Sequence, residues 1–335
     1  MVEADRKGRL AGLAGDRLVR PGRARLTLGE VATRAGVSPE LVARLMRSLG
    51  FPDPGPDAAV FSNADVETVR FLATACDLLG ETVGLDLARV LSSHLARIAE
   101  AIISAVGMYR DAPLIAAGAS ELEAAQAAAS NVELLPQVSQ AMDTVLRHHV
   151  EAANNRRFEL AFPVPGADTV DLAVGFADLV GYTAIAEQLS TADLATAMAA
   201  FEGLVFDLIT AGGGRLVKLI GDEVMFVATD AAEGCAILLR LLDELAAHEV
   251  LPQLRGGLAA GKVLVRDGDY YGSVVNLTSF VTRAVLGRAT FTALVTNEVR
   301  ERVEGSDDAY HFSSVDAGPL KGLAASVPLF GVRRA

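Results

Sequence analysis

The chain has 335 residues, 51% of them hydrophobic and none tryptophan, and its 42 acidic against 30 basic side chains leave a formal charge of -12. That length suits two domains of ordinary size. Mean hydropathy is +0.34, but alanine supplies the excess and no run of 18 or more apolar residues is free of charge, so no membrane span is expected.

Met1–Leu10 carries Glu3, Asp5, Arg6, Lys7 and Arg9 with no apolar stretch behind it, so no secretory signal is expected and the chain reads as cytoplasmic. The first fifty residues are net +5 within an acidic whole, which argues against broad nucleic-acid binding and keeps only a local version open. Cys76 and Cys235 stand far apart without CxxC or Cys/His spacing, against both a disulfide framework and a zinc site.

From Leu26 to about Arg157 the spacing of Ala and Leu predicts helices. Thr27 with Glu30 is a capping-box pattern, and Ser38-Pro39 is an N-cap followed by an N1 proline. The two short helices around Gly36 permit a helix-turn-helix reading. Asn63 is expected to cap a helix through Leu79, and longer helices follow around 85–108, 120–128 and 130–157. Two prolines and a glycine between Phe162 and Asp168 then end the helical tract. The boundaries are a helical unit over 1–157, a linker over 158–169, and a second unit over 170–335.

The second unit is expected to be α+β. Val170, Leu172, Val174 and Phe176 alternate as a strand, and 192–211 is an amphipathic helix. Arg215–Leu219 and Glu223–Ala228 read as strands joined through a Gly221-Asp222 turn. A helix over 231–248, a strand near 255–265, a helix near 275–286, a strand over 290–296 and a terminal hairpin around Lys321 complete a ferredoxin-like sandwich.

Asp178 closes the first strand, just before a glycine turn that starts a helix. A carboxylate there, with backbone N–H groups beyond it, suits a divalent cation and phosphate oxygens; an ordinary helix cap is the alternative. Asp222 at a hairpin tip is free to share a cation with Asp178, and two carboxylates plus substrate phosphates form the usual ligand set of Mg²⁺. A Walker loop is excluded by the glycine spacing. Lys218 draws notice because only four lysines accompany 26 arginines.

Together FADLVGYT (176–183), VKLIGDEVMF (217–226), DYYGSVVN (269–276) and the terminal LKGL and VPLF closely resemble the catalytic domain of class III nucleotidyl cyclases. That resemblance implies a head-to-tail homodimer with active sites at the interface. Asp178 and Asp222 would bind two Mg²⁺ or Mn²⁺ ions, and the 3′-hydroxyl of the substrate would attack its α-phosphate in line. Lys218 and Asp269 match the purine-reading pair. A lysine only donates and an ionised aspartate only accepts. Adenine, with an acceptor at N1 and a donor at its 6-amino group, fits that pair, whereas guanine presents the reverse, so ATP is the expected substrate. Asn276 matches the ribose-orienting residue. Gly181, Tyr182, Thr183 and Lys321 match positions beside the phosphates.

One departure stands out. The family places a transition-state arginine four residues after the asparagine, where this chain has Phe280. Arg283 shares that helix face and is the substitute on offer, with Phe280 as packing and Arg283 as a solvated side chain the alternative. Loss of one such donor costs about 10²–10³ in rate. A catalytically weak pseudo-cyclase that binds nucleotide or DNA is therefore the rival expectation.

The whole chain is similar to two-domain bacterial adenylyl cyclases whose helical N-terminal domain inhibits the cyclase and makes it pH-sensitive. Residues 26–51 also resemble the start of a MerR-type DNA-binding domain, with Arg34, Arg44 and Arg47 near the second helix, although a role as a conformational lever fits better than DNA contact. Histidine titrates near neutrality, and His148 with His149, expected at the end of the last N-terminal helix, is the candidate pH-sensitive pair.

Overall fold

A computed structural model of the chain describes residue 19 and residues 25–55, 57–159, 169–248, 251–285, 292–304, 309–316 and 327–335. Lys321, its hairpin turn and most of the expected linker lie outside the described residues. The chain divides into two compact units, Met1–Ala153 and Asn154–Ala335.

In the first unit, helices α1 (Leu28–Ala35) and α2 (Pro39–Ser48) begin as their caps dictate. The Glu30 carboxylate accepts from Thr27 N at 2.8 Å, and Ser38 Oγ accepts from Leu41 N at 3.1 Å. Gly36, at φ 75°, turns the chain between them. Val31, Val42, Leu45 and Met46 of this pair share one core with Val66, Val69 and Leu72 of α3 (Asn63–Leu79). The cap of α3 is Ser62 rather than Asn63. Its N–H and hydroxyl donate to the Asp65 carboxylate at 2.7 and 2.8 Å, so Asn63 is already the first helical residue.

α4 (Glu81–Val106) passes into a π-helical turn at Gly107–Asp111 and then into α5 (Ala112–Ala116), with α6 (Glu121–Glu133) and α7 (Leu135–Glu159) following. Glu81–Ala116 is long and apolar enough to cross a membrane, by length and composition only, as is Thr191–Ala211 of the second unit. The latter buries Phe201, Val205, Leu208 and Ile209 in its own core, which accounts for their apolarity.

The second unit opens with β1 (Thr169–Leu179), α8 (Tyr182–Ala186), α9 (Thr191–Ala211), β2 (Arg215–Ile220), β3 (Glu223–Ala228), α10 (Ala231–Ala246) and β4 (Leu254–Arg266). Their order across the sheet is β2-β3-β1-β4, with every neighbouring pair antiparallel. This is the expected split βαββαβ arrangement. The short β5 (Asp269–Tyr271) folds back on β4, and α11 (Ser273–Ala284) follows it. β6 (Ala293–Thr296), α12 (Asn297–Glu304), β7 (Tyr310–Val315) and β8 (Leu329–Arg334) extend the sheet beyond β4. β5 and α12 are too short for hydrophobic periodicity to announce them.

Alternation along the strands divides the sheet into two faces. Ala173, Ala177, Val224, Phe226 and Leu258 pack in one core with α9 and α10. Leu172, Val174, Phe176, Met225, Val227 and Val263 form a separate cluster on the other face, together with Val274 and Val275 of α11. α11 approaches this face closely because Gly257 has no side chain. A Cβ there would lie 2.6 Å from Thr282 N and 2.7 Å from Thr282 Oγ1.

Candidate active site

Asp178 pairs across the sheet with Glu223 of β3 on one side and Arg255 of β4 on the other. Directly opposed residues project from the same face. All three charged side chains therefore stand on the face that carries Phe176 and Met225. Arg255 Nε donates to Asp178 Oδ1 at 2.5 Å and Nη2 donates to Oδ2 at 2.6 Å. The two side chains are only 15% and 16% exposed, so this is a forked ion pair with little water around it.

Gly221, at φ 62°, and Asp222 form the turn between β2 and β3. Leu179 N donates to Asp222 O at 3.3 Å, which ties this turn to the end of β1 next to Asp178. Burial pushes the Asp222 carboxyl above its ordinary range against the pull of its own backbone N–H, and the charge of Asp178 adds to the rise. Glu223 is raised as well, first by burial and then by Asp178, with Arg283 opposing. A divalent cation held by Asp178 and Asp222 would relieve this repulsion, and the donors are hard oxygens. Among the described residues no group of three or more His, Cys, Asp or Glu side chains is placed to hold a metal. Two carboxylates that leave the remaining positions to water and phosphate fit Mg²⁺ or Mn²⁺.

Lys218 lies opposite Met225, two residues along β3 from Glu223, and so shares the face of Asp178. Its Nζ is 2.6 Å from Asp269 Oδ2, and Asp269 Oδ1 accepts from Tyr270 N at 2.8 Å. Arg215 steadies the turn that delivers Asp269, donating to Gly268 O at 3.0 Å and to the Tyr270 hydroxyl at 3.1 Å. The fold therefore brings the expected lysine and aspartate together within a single chain.

Asn276 is exposed in the first turns of α11, and Arg283 is exposed near its end. Phe280 between them is half-buried against the Val281, Val285, Leu294 and Leu329 cluster, so it is a packing residue. The Arg283 charge lowers the pKa of Glu223, which places its influence at the carboxylate end of the sheet. Gly181 takes a positive φ of 76° before α8, with Tyr182 half-buried and Thr183 exposed. His148 and His149 are exposed on α7, which continues to Glu159, so they lie within the helix rather than at its end.

The arginines of the helix-turn-helix segment have partners of their own. Arg34 donates to Asn63 Oδ1 at 3.0 Å, Arg47 meets Asp53 at 2.6 Å, and Arg44 pairs with Glu81. Two of the three are thus neutralised by acids of the same unit, which reduces the charge available for a phosphate backbone. Arg255 and Glu223 are the residues that reading the sequence missed. Their signal was their register opposite Asp178, which requires the strand pairing to be known.

Residues 4–153 match the family model described as the adenylate cyclase regulatory domain. Over 98% of its length the chain is 36% identical to an uncharacterized protein of Mycobacterium tuberculosis, spanning 85% of that protein. It is 38% identical to an adenylate cyclase of Streptomyces coelicolor, over 77% of this chain and 67% of the relative. A pH-sensitive adenylate cyclase of Mycobacterium tuberculosis is 35% identical over 91% of this chain and 77% of the relative.

Proposed function

As this chain belongs to the adenylate cyclase family and carries that family's regulatory domain, we propose that it converts ATP to 3′,5′-cyclic AMP and pyrophosphate, under pH-dependent restraint by its N-terminal unit. The observation that carries the substrate assignment is the 2.6 Å pairing of Lys218 with Asp269. Held together, the ammonium donates to adenine N1 and the carboxylate accepts from the 6-amino group. Guanine would set N1–H against the lysine and O6 against the carboxylate.

Asn276 orients the ribose, and the backbone N–H groups of Gly181, Tyr182 and Thr183 with the Lys321 ammonium receive phosphate oxygens. The 3′-oxygen forms a bond to the α-phosphorus as the bond to the pyrophosphate oxygen breaks, and alignment supplies much of the acceleration. Asp178 and Asp222 would hold two Mg²⁺ or Mn²⁺ ions, which supply Lewis-acid activation of the hydroxyl and charge neutralisation of the leaving pyrophosphate. In the head-to-tail homodimer that the resemblance implies, the active sites lie at the interface between the two protomers. The name of the pH-sensitive relative supports the pH dependence, and exposed His148 and His149 are its candidate origin.

Phe280 favours a second reading. With an apolar packing residue where the resemblance places an arginine, and Arg283 one turn further on, the site binds ATP and turns it over slowly. One experiment separates the two. The full chain and its Asp178→Asn and Asp222→Asn variants are incubated with Mn-ATP, and cyclic AMP and nucleotide binding are both measured. Product from the wild type, lost in both variants, supports the cyclase. Nucleotide binding with little or no product supports the second reading.

A further inference from the structure

Asp178 is not open to a cation in the free chain. Both of its oxygens accept from Arg255, at 2.5 and 2.6 Å, in a pair that is mostly shielded from water. We propose that Arg255 is a metal-loading latch: its guanidinium occupies the place of a divalent cation on Asp178 and must leave when the cation arrives. This rests on the reading of Asp178 and Asp222 as cation ligands.

The two carboxylates are unequal. Asp222, at the turn, makes no ion pair among the described residues, whereas Asp178 is engaged at both oxygens. The planar guanidinium fork matches a carboxylate bidentately, so it competes with a cation for the same lone pairs and repels that cation as well. Antiparallel pairing of Asp178 with Arg255 fixes their backbones side by side, so the competitor is always present. Among the described residues every hydrogen bond of the Arg255 side chain goes to Asp178, so release breaks no other hydrogen bond. The shielding weakens screening by salt, which keeps the competition strong under ordinary buffer conditions.

The test is direct Mn²⁺ binding to the full chain without nucleotide, read from the electron paramagnetic resonance signal of free Mn²⁺. Wild type is compared with Arg255→Gln, Arg255→Lys and Asp178→Asn, with circular dichroism as the check on folding. Arg255→Gln is expected to bind Mn²⁺ about tenfold more tightly or better, since a close charge pair is typically coupled that strongly. Arg255→Lys keeps a charge beside Asp178 to support folding but loses the fork, and is expected to fall in between. Asp178→Asn is expected to lose the site. If Asp178→Asn abolishes binding while neither arginine variant binds more tightly, the latch is overturned and the cation site stands. If Asp178→Asn binds Mn²⁺ as wild type does, the cation site itself is wrong and the latch falls with it.

Discussion

Lys218 and Asp269, 51 positions apart in the chain, meet at 2.6 Å with about a third of each side chain exposed. The contact depends on two local features. A bulge between Leu216 and Lys218 sets the lysine opposite Met225, and β5 folds back on β4 to bring Asp269 beside it. A pair assembled from β2 and β5 exists before any nucleotide arrives, so little ordering is left for binding to accomplish.

Replacing Asp269 by asparagine should blur the choice of base. An amide donates as well as accepts, so guanine O6 is no longer rejected. The kcat/KM for ATP is expected to fall about 10–10²-fold, the scale of one hydrogen bond to a charged group, and the ATP-to-GTP ratio to shrink with it. Lys218→Met should do much the same. The double variant should add little, because the two side chains act as a unit. Steady-state rates with both nucleotides decide this, and an unchanged ratio would remove the pair from base recognition.

Lys218 could be singled out in the sequence because lysine is so scarce in this chain, and Asp269 because the motif resemblance fixes its distance from Asn276. The alternation of Val170 to Phe176 likewise announced β1 and, with it, the position of Asp178. Arg255 was illegible. It is one of many arginines, it begins a strand between Leu254 and two glycines, and only the register of β1 against β4, 77 positions apart, makes it the partner of Asp178. Gly257 was illegible for the same reason, since its role is to admit a helix that is remote in sequence.

Gly257→Ala should loosen α11. The added Cβ would meet the Thr282 backbone nitrogen at 2.6 Å, and a backbone atom cannot rotate away. Thr282 Oγ1 lies 3.3 Å from Phe176 O, so the helix would also be drawn off a sheet carbonyl. Overpacking of this kind costs about 1–3 kcal/mol. The melting temperature should fall, and because α11 carries Asn276, kcat should fall as well. A variant that melts like wild type would show that α11 shifts without cost.

Phe280→Arg should increase turnover. The position lies one turn beyond Asn276 on α11, and its ring is only half-buried, so a guanidinium can replace it at some cost in packing. One donor placed on the reacting phosphate is worth about 10²–10³ in rate, which sets the upper limit of the gain. The signature is a higher kcat with little change in KM, accompanied by a lower melting temperature. A kcat at or below the wild-type value would place residue 280 away from the reacting phosphate.

The raised carboxylates give a stability prediction whose sign is fixed. Asp222 and Glu223 have ordinary values of 3.8 and 4.5 and are pushed upward in the folded chain, chiefly by burial. Between the ordinary and the raised values the folded state holds more protons than the unfolded state, so stability falls as pH rises through that window. Above that window both groups carry charges the fold opposes. Asp222→Asn should therefore raise the melting temperature of the metal-free chain at pH 7 and flatten its dependence on pH. It should also lose the stabilisation that Mn²⁺ gives to wild type. A melting temperature that drops at pH 7 would show that the Asp222 charge is favourable where it stands.

The pH dependence of activity should trace to the first unit. His148 and His149 are exposed on α7, and the helix runs unbroken from Leu135 to Glu159, so charge added at the pair acts on a continuous rod. Arg147 beside them is tied to Asp143 at 2.9 Å, while Glu151 lies one turn beyond His148 and can meet a protonated ring. A proton taken up by the pair therefore adds positive charge to a segment whose neighbouring arginine is already paired. Cyclic AMP production by the full chain is expected to change between about pH 5.5 and 8, with His148→Ala/His149→Ala flattening the profile. Residues 154–335 alone should be more active and lack the dependence. A double variant whose profile superimposes on that of wild type would acquit the histidine pair. If residues 154–335 keep the full pH response, the sensor belongs to the catalytic unit instead.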